Sequence, residues 1–243
     1  MALKDEIRQE NIKLKDMPFR KKAAYIWDYY KIHIIVTIAV IIFIITFVHD
    51  YRINKRPLYL DAIIINSDVA YSADNYFKDD YIRYSGVDTD TYNLAIDTGI
   101  IISEDSYDQM TTANIQKVMA MYAAGDLDVV IAPDTITDEY GAIGAHMDLS
   151  GVLTDDLKEE LEKKGCEPYY TTVYEEDENG EHKPVEEYLA GVYLDRSEYL
   201  NTLGGTGAFT TQLQSGKRPV FTITATSQRT DHAIEFLKML AGL

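Results

Sequence analysis

One uninterrupted apolar run near the start of the chain limits what the chain can fold into. Residues Ile32–Val48 read IHIIVTIAVIIFIITFV and carry no formal charge. At about 1.5 Å per residue, such a helix reaches roughly 25 Å, near the lower limit for crossing a hydrocarbon core of about 30 Å. Aromatic side chains, which favour the lipid headgroup level, flank the run at Tyr29, Tyr30 and Tyr51. We predict a transmembrane helix over residues 32–49.

The same run has two alternative interpretations, a buried segment of a soluble domain and a cleavable signal peptide. Its many β-branched residues are compatible with a buried helix or strand of a soluble domain, but such a long uncharged run is unusual there. A cleavable signal peptide is the stronger rival. However, about 31 residues precede the run, and the sequence HDYRINKRP that follows it offers no small-residue cleavage site. We therefore favour an uncleaved signal anchor.

The distribution of charge predicts the orientation of this helix. Residues 1–48 carry eight basic and five acidic residues, hence +3, whereas the remainder carries 15 and 35, hence −20. Only Arg52, Lys55 and Arg56 follow the span closely. Since basic segments stay on the cytoplasmic side, we expect residues 1–31 to form a basic segment in the cytoplasm or at the membrane interface, with a linker over 50–57 and an extracellular domain over 58–243. The net charge of −17 argues against nucleic acid as a partner.

The outer domain alternates between apolar runs and helical patterns. The predicted strands are 58–66, 92–102, 127–133 and 219–225. Helices at 68–86 and 107–124 are predicted between the first three strands, and another at about 136–145 after the third. Ser103 or Ser106 is the expected cap of the second helix, and Gly125 its end. This order favours parallel strands joined by crossovers. We predict an α/β fold: one transmembrane helix followed by a three-layer domain with a mostly parallel sheet.

The second half of the domain departs from this alternation. A helix is predicted to begin at Thr154 and to end at Gly165. A hairpin follows, for which the dipeptide Asn179–Gly180 is a typical turn. The chain then supplies the strand at 219–225 and a terminal helix.

Motifs that carry chemistry are missing from the sequence. The five histidines are scattered without metal-ligand spacing, and the single cysteine, Cys166, excludes an internal disulfide. The glycine-rich stretch LGGTGAF has neither the lysine of a phosphate-binding loop nor the spacing of a dinucleotide fingerprint. Acidic runs such as EDSYD and YEEDENGE are typical of a solvated surface. We predict no catalytic residues, no metal and no cofactor.

Some of these segments resemble a known family. The stretch MYAAGDLDVVIAP followed by EYGAIGAHMDLSGVLTDDL, and later ITATSQRTDHAIEFLKML, is similar to bacterial extracytoplasmic solute-binding proteins that serve ABC importers. The likeness covers about residues 107–160 and 217–243. The segment YIWDYYKIHIIVTIAVI also resembles the start of single-span proteins of Gram-positive bacteria. The resemblance implies a shortened periplasmic-binding-protein fold of type II, anchored by a helix.

The resemblance also implies where a ligand would lie. In such α/β folds the ligand binds beyond the carboxyl ends of the strands. The residues of the corresponding loops are Asn66, Ser67, Ser103, Asp134, Thr135, Thr226 and Ser227. The alternative is that these are ordinary cap and turn residues.

We expect a membrane-anchored, non-enzymatic binding or accessory module outside the cytoplasm. Its partners would be the lipid bilayer, through residues 32–49, a small solute, and a membrane transporter or other envelope protein. The alternative is an envelope scaffold or assembly protein that has the fold but binds no small molecule.

Overall fold

A computed structural model describes residues 18–70, 72, 75–106, 108–176 and 180–243. Residues 1–17, most of the predicted cytoplasmic segment, lie outside the described residues. The chain divides into two compact units, residues 1–55 and 56–243.

The first unit contains one long helix, α1 (Phe19–Asn54). Within it, the stretch Tyr30–Arg52 spans 23 residues, and its most apolar 18 residues have a mean hydropathy of 2.7 and are 0% buried. By length and composition this stretch could cross a membrane, as the sequence predicts. The helix continues to Asn54 and therefore includes most of the segment predicted as a linker. Only Lys55–Pro57 separate it from the first strand.

The second unit is built on a six-stranded sheet. Its strands are β1 (Leu58–Ile65), β2 (Asn93–Ile100), β3 (Val129–Pro133), β4 (Pro168–Glu176), β5 (His182–Tyr193) and β6 (Pro219–Ile223), in the order β2-β1-β3-β6-β5-β4. The pairs β1–β2 and β1–β3 are parallel, whereas β3–β6, β5–β6 and β4–β5 are antiparallel. Four strands therefore point the same way, which agrees with a mostly parallel sheet. The predicted strand at 219–225, however, runs against its neighbours.

Helices cover both faces of this sheet. They are α2 (Tyr76–Ser85), α3 (Gln109–Ala124), α4 (Asp134–Gly141), α5 (Asp155–Lys163), α6 (Glu198–Thr202), α7 (Thr210–Gln214) and α8 (Thr230–Ala241). Successive side chains of β1 alternate between two hydrophobic clusters, because neighbouring residues of a strand point to opposite faces. Ala62 and Ile64 pack in the cluster with α2 and α8, while Ile63 and Ile65 pack in the cluster with α3 and α4. The domain is three-layered, as predicted.

Two helix starts differ from the sequence-based prediction. Helix α2 begins at Tyr76 rather than near residue 68, because Asn75 caps it by accepting a hydrogen bond from Lys78 N. Helix α3 is capped by Asp108, whose carboxylate accepts from Thr111 N at 2.7 Å, so neither Ser103 nor Ser106 is the cap. A carboxylate at this position also interacts favourably with the helix dipole.

The predicted end of α3 and the predicted cap of α5 are confirmed, whereas α4 covers Asp134–Gly141 and not the predicted residues 136–145. Gly125 follows α3 with a φ of 73°, the left-handed conformation that glycine adopts at no steric cost. Thr154 caps α5 by accepting from Leu157 N.

The predicted hairpin is formed by β4 and β5, although Asn179 of its turn lies outside the described residues. Only Gly191, Val192 and Tyr193 of β5 pair with β6. The remainder of the hairpin is therefore a two-stranded ribbon that extends beyond the sheet.

Candidate functional site

The sheet topology divides the seven predicted site residues into two groups. Asn66 and Ser67 follow β1, Ser103 follows β2, and Asp134 and Thr135 follow β3; these parallel strands end at one edge. Thr226 and Ser227 follow β6, which is antiparallel to β3, and so lie at the opposite edge. The sequence pattern could not show this, because a single strand reads the same in either direction.

Asn66 joins the ends of β1 and β2. It has a φ of 58°, a region that asparagine tolerates better than most residues. Its side chain donates to Ile102 O and accepts from Ile102 N, both at 2.8 Å. The amide thus extends the parallel ladder by one step, and both of its polar atoms are occupied.

Ser67 and its neighbour hold the loop before α7. Ser67 Oγ donates to Ala208 O at 3.1 Å, and Asp68 Oδ2 accepts from Thr211 N at 2.8 Å in the first turn of α7. An open pocket of about 350 Å³ lies here, lined by Asn66, Ser67, Asp68, Ile101, Ile102 and Gln212. Sequence reasoning missed Asp68 and Gln212, since neither belongs to a recognisable motif.

The remaining residues of this edge hold loops together. Thr135 Oγ1 donates to Glu104 Oε1 at 2.9 Å, and the same oxygen lies 2.6 Å from Lys217 Nζ. Asp134 Oδ1 accepts from Thr135 N at 3.0 Å, and Ser103 N donates to the hydroxyl of buried Thr111. No local signal could have found the Glu104–Lys217 pair, because the two residues are far apart in the chain.

At the opposite edge, Ser227 belongs to an ion-pair cluster around Asp128. The Asp128 carboxylate is fully buried and accepts from Ser227 Oγ at 2.7 Å, Asp61 N at 2.9 Å and Arg229 Nε at 2.8 Å. The acidic turn before β3 therefore connects β1 with the loop after β6. Thr226 is exposed beside this cluster.

Burial raises the pKa of the half-buried Asp61 carboxyl to about 6, and the neighbouring Asp128 carboxylate adds to this effect while Arg229 opposes it. A carboxyl group with such a pKa changes its charge in a mildly acidic medium.

A second pocket, of about 210 Å³, lies beside α5, the start of β4 and the end of β5. Its floor is apolar and buried, and consists of Leu153, Leu161, Cys166, Leu189 and Val192. Ser150, Lys158 and Glu162 stand at its polar side. Burial raises the pKa of the Cys166 thiol to about 11, so this group is a packing residue and not a thiolate. Sequence reasoning missed this pocket because residues from separate segments form it.

Within the described ranges, no three histidine, cysteine, aspartate or glutamate residues are placed to share a metal ion. The buried His146 lies with Nε2 at 3.1 Å from Thr137 O, while its Nδ1 has no hydrogen-bond partner. Burial lowers the pKa of this imidazole to about 4, so it is neutral near pH 7.

Comparisons with protein-family models, with curated proteins and with solved structures found no match for this chain.

Proposed function

We propose that the chain is a single-span membrane protein whose folded domain acts outside the cytoplasm as a non-enzymatic binding or accessory module. The observation that carries this proposal is the apolar stretch Tyr30–Arg52 next to a domain, residues 56–243, that has its own core. A domain held at the membrane meets a membrane partner at a high effective concentration.

The polar groups of the apolar stretch also support a lipid environment. Thr37 Oγ1 donates to His33 O at 2.7 Å, and Thr46 Oγ1 donates to Phe43 O at 2.9 Å. Both hydroxyl groups are thus satisfied within the helix, as a hydrocarbon surrounding requires. The excess of basic residues before the span favours a cytoplasmic N-terminus.

A binding role fits the domain better than a catalytic one. At the strand edge that the sequence points to, the side chains of Asn66, Ser67 and Thr135 bond to backbone atoms or to a neighbouring carboxylate. His146 is buried and neutral, and the Cys166 thiol is protonated. These groups stabilise the fold, while the pockets beside them offer surfaces for a ligand.

The projecting ribbon favours a second candidate, an envelope scaffold that binds a protein and no small solute. The ribbon's distal strands are exposed and carry Glu175, Glu176, Glu186 and Glu187. An acidic arm of this kind suits a basic surface on a partner.

The topology can be tested with the single native cysteine removed. We expect a Cys166→Ala chain that carries Ser215→Cys, an exposed position, to react with a membrane-impermeant maleimide on intact cells. A Lys4→Cys version should react only after the cells are permeabilised. Labelling of Ser215→Cys only after permeabilisation, or recovery of the chain in the soluble fraction, would contradict the proposal.

The two roles make different predictions for the full chain in lipid nanodiscs. A solute-binding module should melt at a higher temperature with its ligand, because a ligand that binds only the folded state stabilises it. A scaffold should show no such shift with any small solute, yet should be crosslinked to an envelope protein through the ribbon. Substitution of Glu186 and Glu187 by glutamine should then abolish the crosslink.

A further inference from the structure

We infer that the pocket beside α5 binds a small molecule with an apolar tail and one carboxylate group. This inference rests on the proposed binding role and gives that role a ligand class. This pocket is separate from the carboxyl ends of the parallel strands, where the sequence predicts a ligand.

The shape of the pocket limits the size of the ligand. Its volume of about 210 Å³ is below the roughly 300–1,000 Å³ of sites for drug-sized ligands. The five apolar residues of its floor come from the loop before α5, from α5 itself, from the loop after it and from β5, and each is at least nine-tenths buried. A short aliphatic tail placed on this floor is removed from water and covers apolar side chains of the protein.

Lys158 supplies the group that would recognise an anion. Its Nζ donates to Ser150 O at 3.0 Å, and its ion pair with Asp155 is long, at 3.5 Å, with the aspartate side chain fully exposed. An ammonium group has three donors, so these contacts leave one for a ligand. The Lys158 side chain is only 33% exposed, which strengthens a charge-assisted hydrogen bond relative to one at the open surface.

Glu162 lies one turn further along α5, on the same face as Lys158, and is exposed. Its carboxylate repels an anion but would attract a ligand that also carries an ammonium group. This residue therefore distinguishes a simple carboxylate from a zwitterion.

The test uses the full chain in lipid nanodiscs, with empty nanodiscs as the blank because apolar acids also partition into lipid. Calorimetric titration with 4-methylpentanoate at pH 7.5 should show saturable binding. The neutral 4-methylpentanamide should bind at least about tenfold more weakly, because the charge-assisted bond is lost. Equal affinity for the acid and the amide, or no binding of either, would overturn the inference.

Variants of α5 sharpen the test. Lys158→Gln should weaken carboxylate binding about tenfold, whereas Lys163→Gln, an exposed lysine on the same helix that pairs with Glu159, should leave it unchanged. Glu162→Gln should tighten binding of 4-methylpentanoate a few-fold, because it removes a carboxylate that repels the anion; weaker binding would contradict this repulsion and would overturn the inference. Cys166→Met should fill the floor and abolish binding in a chain that retains its circular dichroism spectrum.

The outcomes of these titrations are separate from those of the maleimide experiment. A domain that labels from outside but binds no carboxylate would remove the ligand class and leave the membrane-anchored module. If the domain binds 4-methylpentanoate but Ser215→Cys reacts only after permeabilisation, the ligand class stands and the location outside the cytoplasm is refuted.

Discussion

The Asp128 carboxylate, fully buried at the start of β3, lies 2.8 Å from the Nε atom of Arg229, whose side chain is 21% exposed. The two partners thus differ in their access to water. An arginine left alone can turn toward water, whereas the carboxylate cannot leave the interior without disrupting the strand. The carboxylate also holds Asp61 N and Ser227 Oγ, so it connects β1, β3 and the loop after β6.

The difference in exposure between Asp128 and Arg229 predicts the effects of two substitutions. Arg229→Met should lower the free energy of unfolding by about 3–5 kcal/mol, because it leaves a buried charge without its partner. Asp128→Asn should cost less, about 1–3 kcal/mol, since the amide oxygen can still accept from Asp61 N. Denaturant titration of the full chain in detergent, followed by near-ultraviolet circular dichroism, measures both.

A matched surface pair serves as the control for these variants. Lys163→Met removes the partner of Glu159, and both side chains are 68% exposed, so we expect a change of about 0–1 kcal/mol. A larger cost for Asp128→Asn than for Arg229→Met would show that the carboxylate's hydrogen bonds, and not its charge, govern this cluster.

Asp61 makes the stability of the domain depend on pH in an unusual direction. Its pKa is raised from 3.8 to about 6, so the folded state binds a proton more tightly than the unfolded state. Its contribution to stability is therefore full below about pH 4 and declines as the pH rises through 6. Asp61→Asn should raise the melting temperature at pH 7.5 and should remove this decline. An unchanged melting temperature at pH 7.5 would show that Asp61 bears no burial penalty.

His146 makes the stability of the domain fall as the pH falls, which is opposite to the effect of Asp61 and covers nearly the same pH range. Its pKa is lowered from 6.5 to about 4, so the unfolded state takes up the proton first. Stability is lost as the pH falls from about 6.5 to 4, by up to about 3 kcal/mol. His146→Gln, which keeps a donor for Thr137 O, should reduce this loss of stability at low pH. Asp61→Asn should make the loss steeper, because the opposing contribution of Asp61 is then absent. Melting curves at half-unit steps from pH 4 to 7.5 separate the two groups.

The strands and most helix ends could be predicted from sequence because their signals are local. The apolar run of β3 and the glycine after α3 depend only on neighbouring residues, and the structure confirms both. The predicted start of α2 near residue 68 is wrong, because Asn75 supplies the cap. Caps depend on the hydrogen bonds that are actually made, and several polar residues in a row compete for them.

The candidate site was less predictable because it depends on strand direction and on distant contacts. Thr226 and Ser227 can lie beside Asp134 only if β6 is parallel to β3, but β6 runs antiparallel to β3. The pocket beside α5 combines Lys158 with Leu189 and Val192 of the hairpin. No periodicity in either segment indicates that they meet. Ligand binding at any of these residues stays a prediction.

The last prediction concerns Gly191, which lets β5 approach β6. A Cβ atom at this position would lie 2.2 Å from Phe221 O, a backbone atom that cannot move without breaking the pairing of the two strands. Gly191→Ala should therefore destabilise the domain by about 3 kcal/mol or more and should detach the hairpin, making it sensitive to protease. Gly151→Ala is the control, because a Cβ there meets nothing within 4 Å, and its melting temperature should stay within a few degrees of the parent chain. If Gly191→Ala melts and digests like Gly151→Ala, the close contact between β5 and β6 does not hold the hairpin to the sheet.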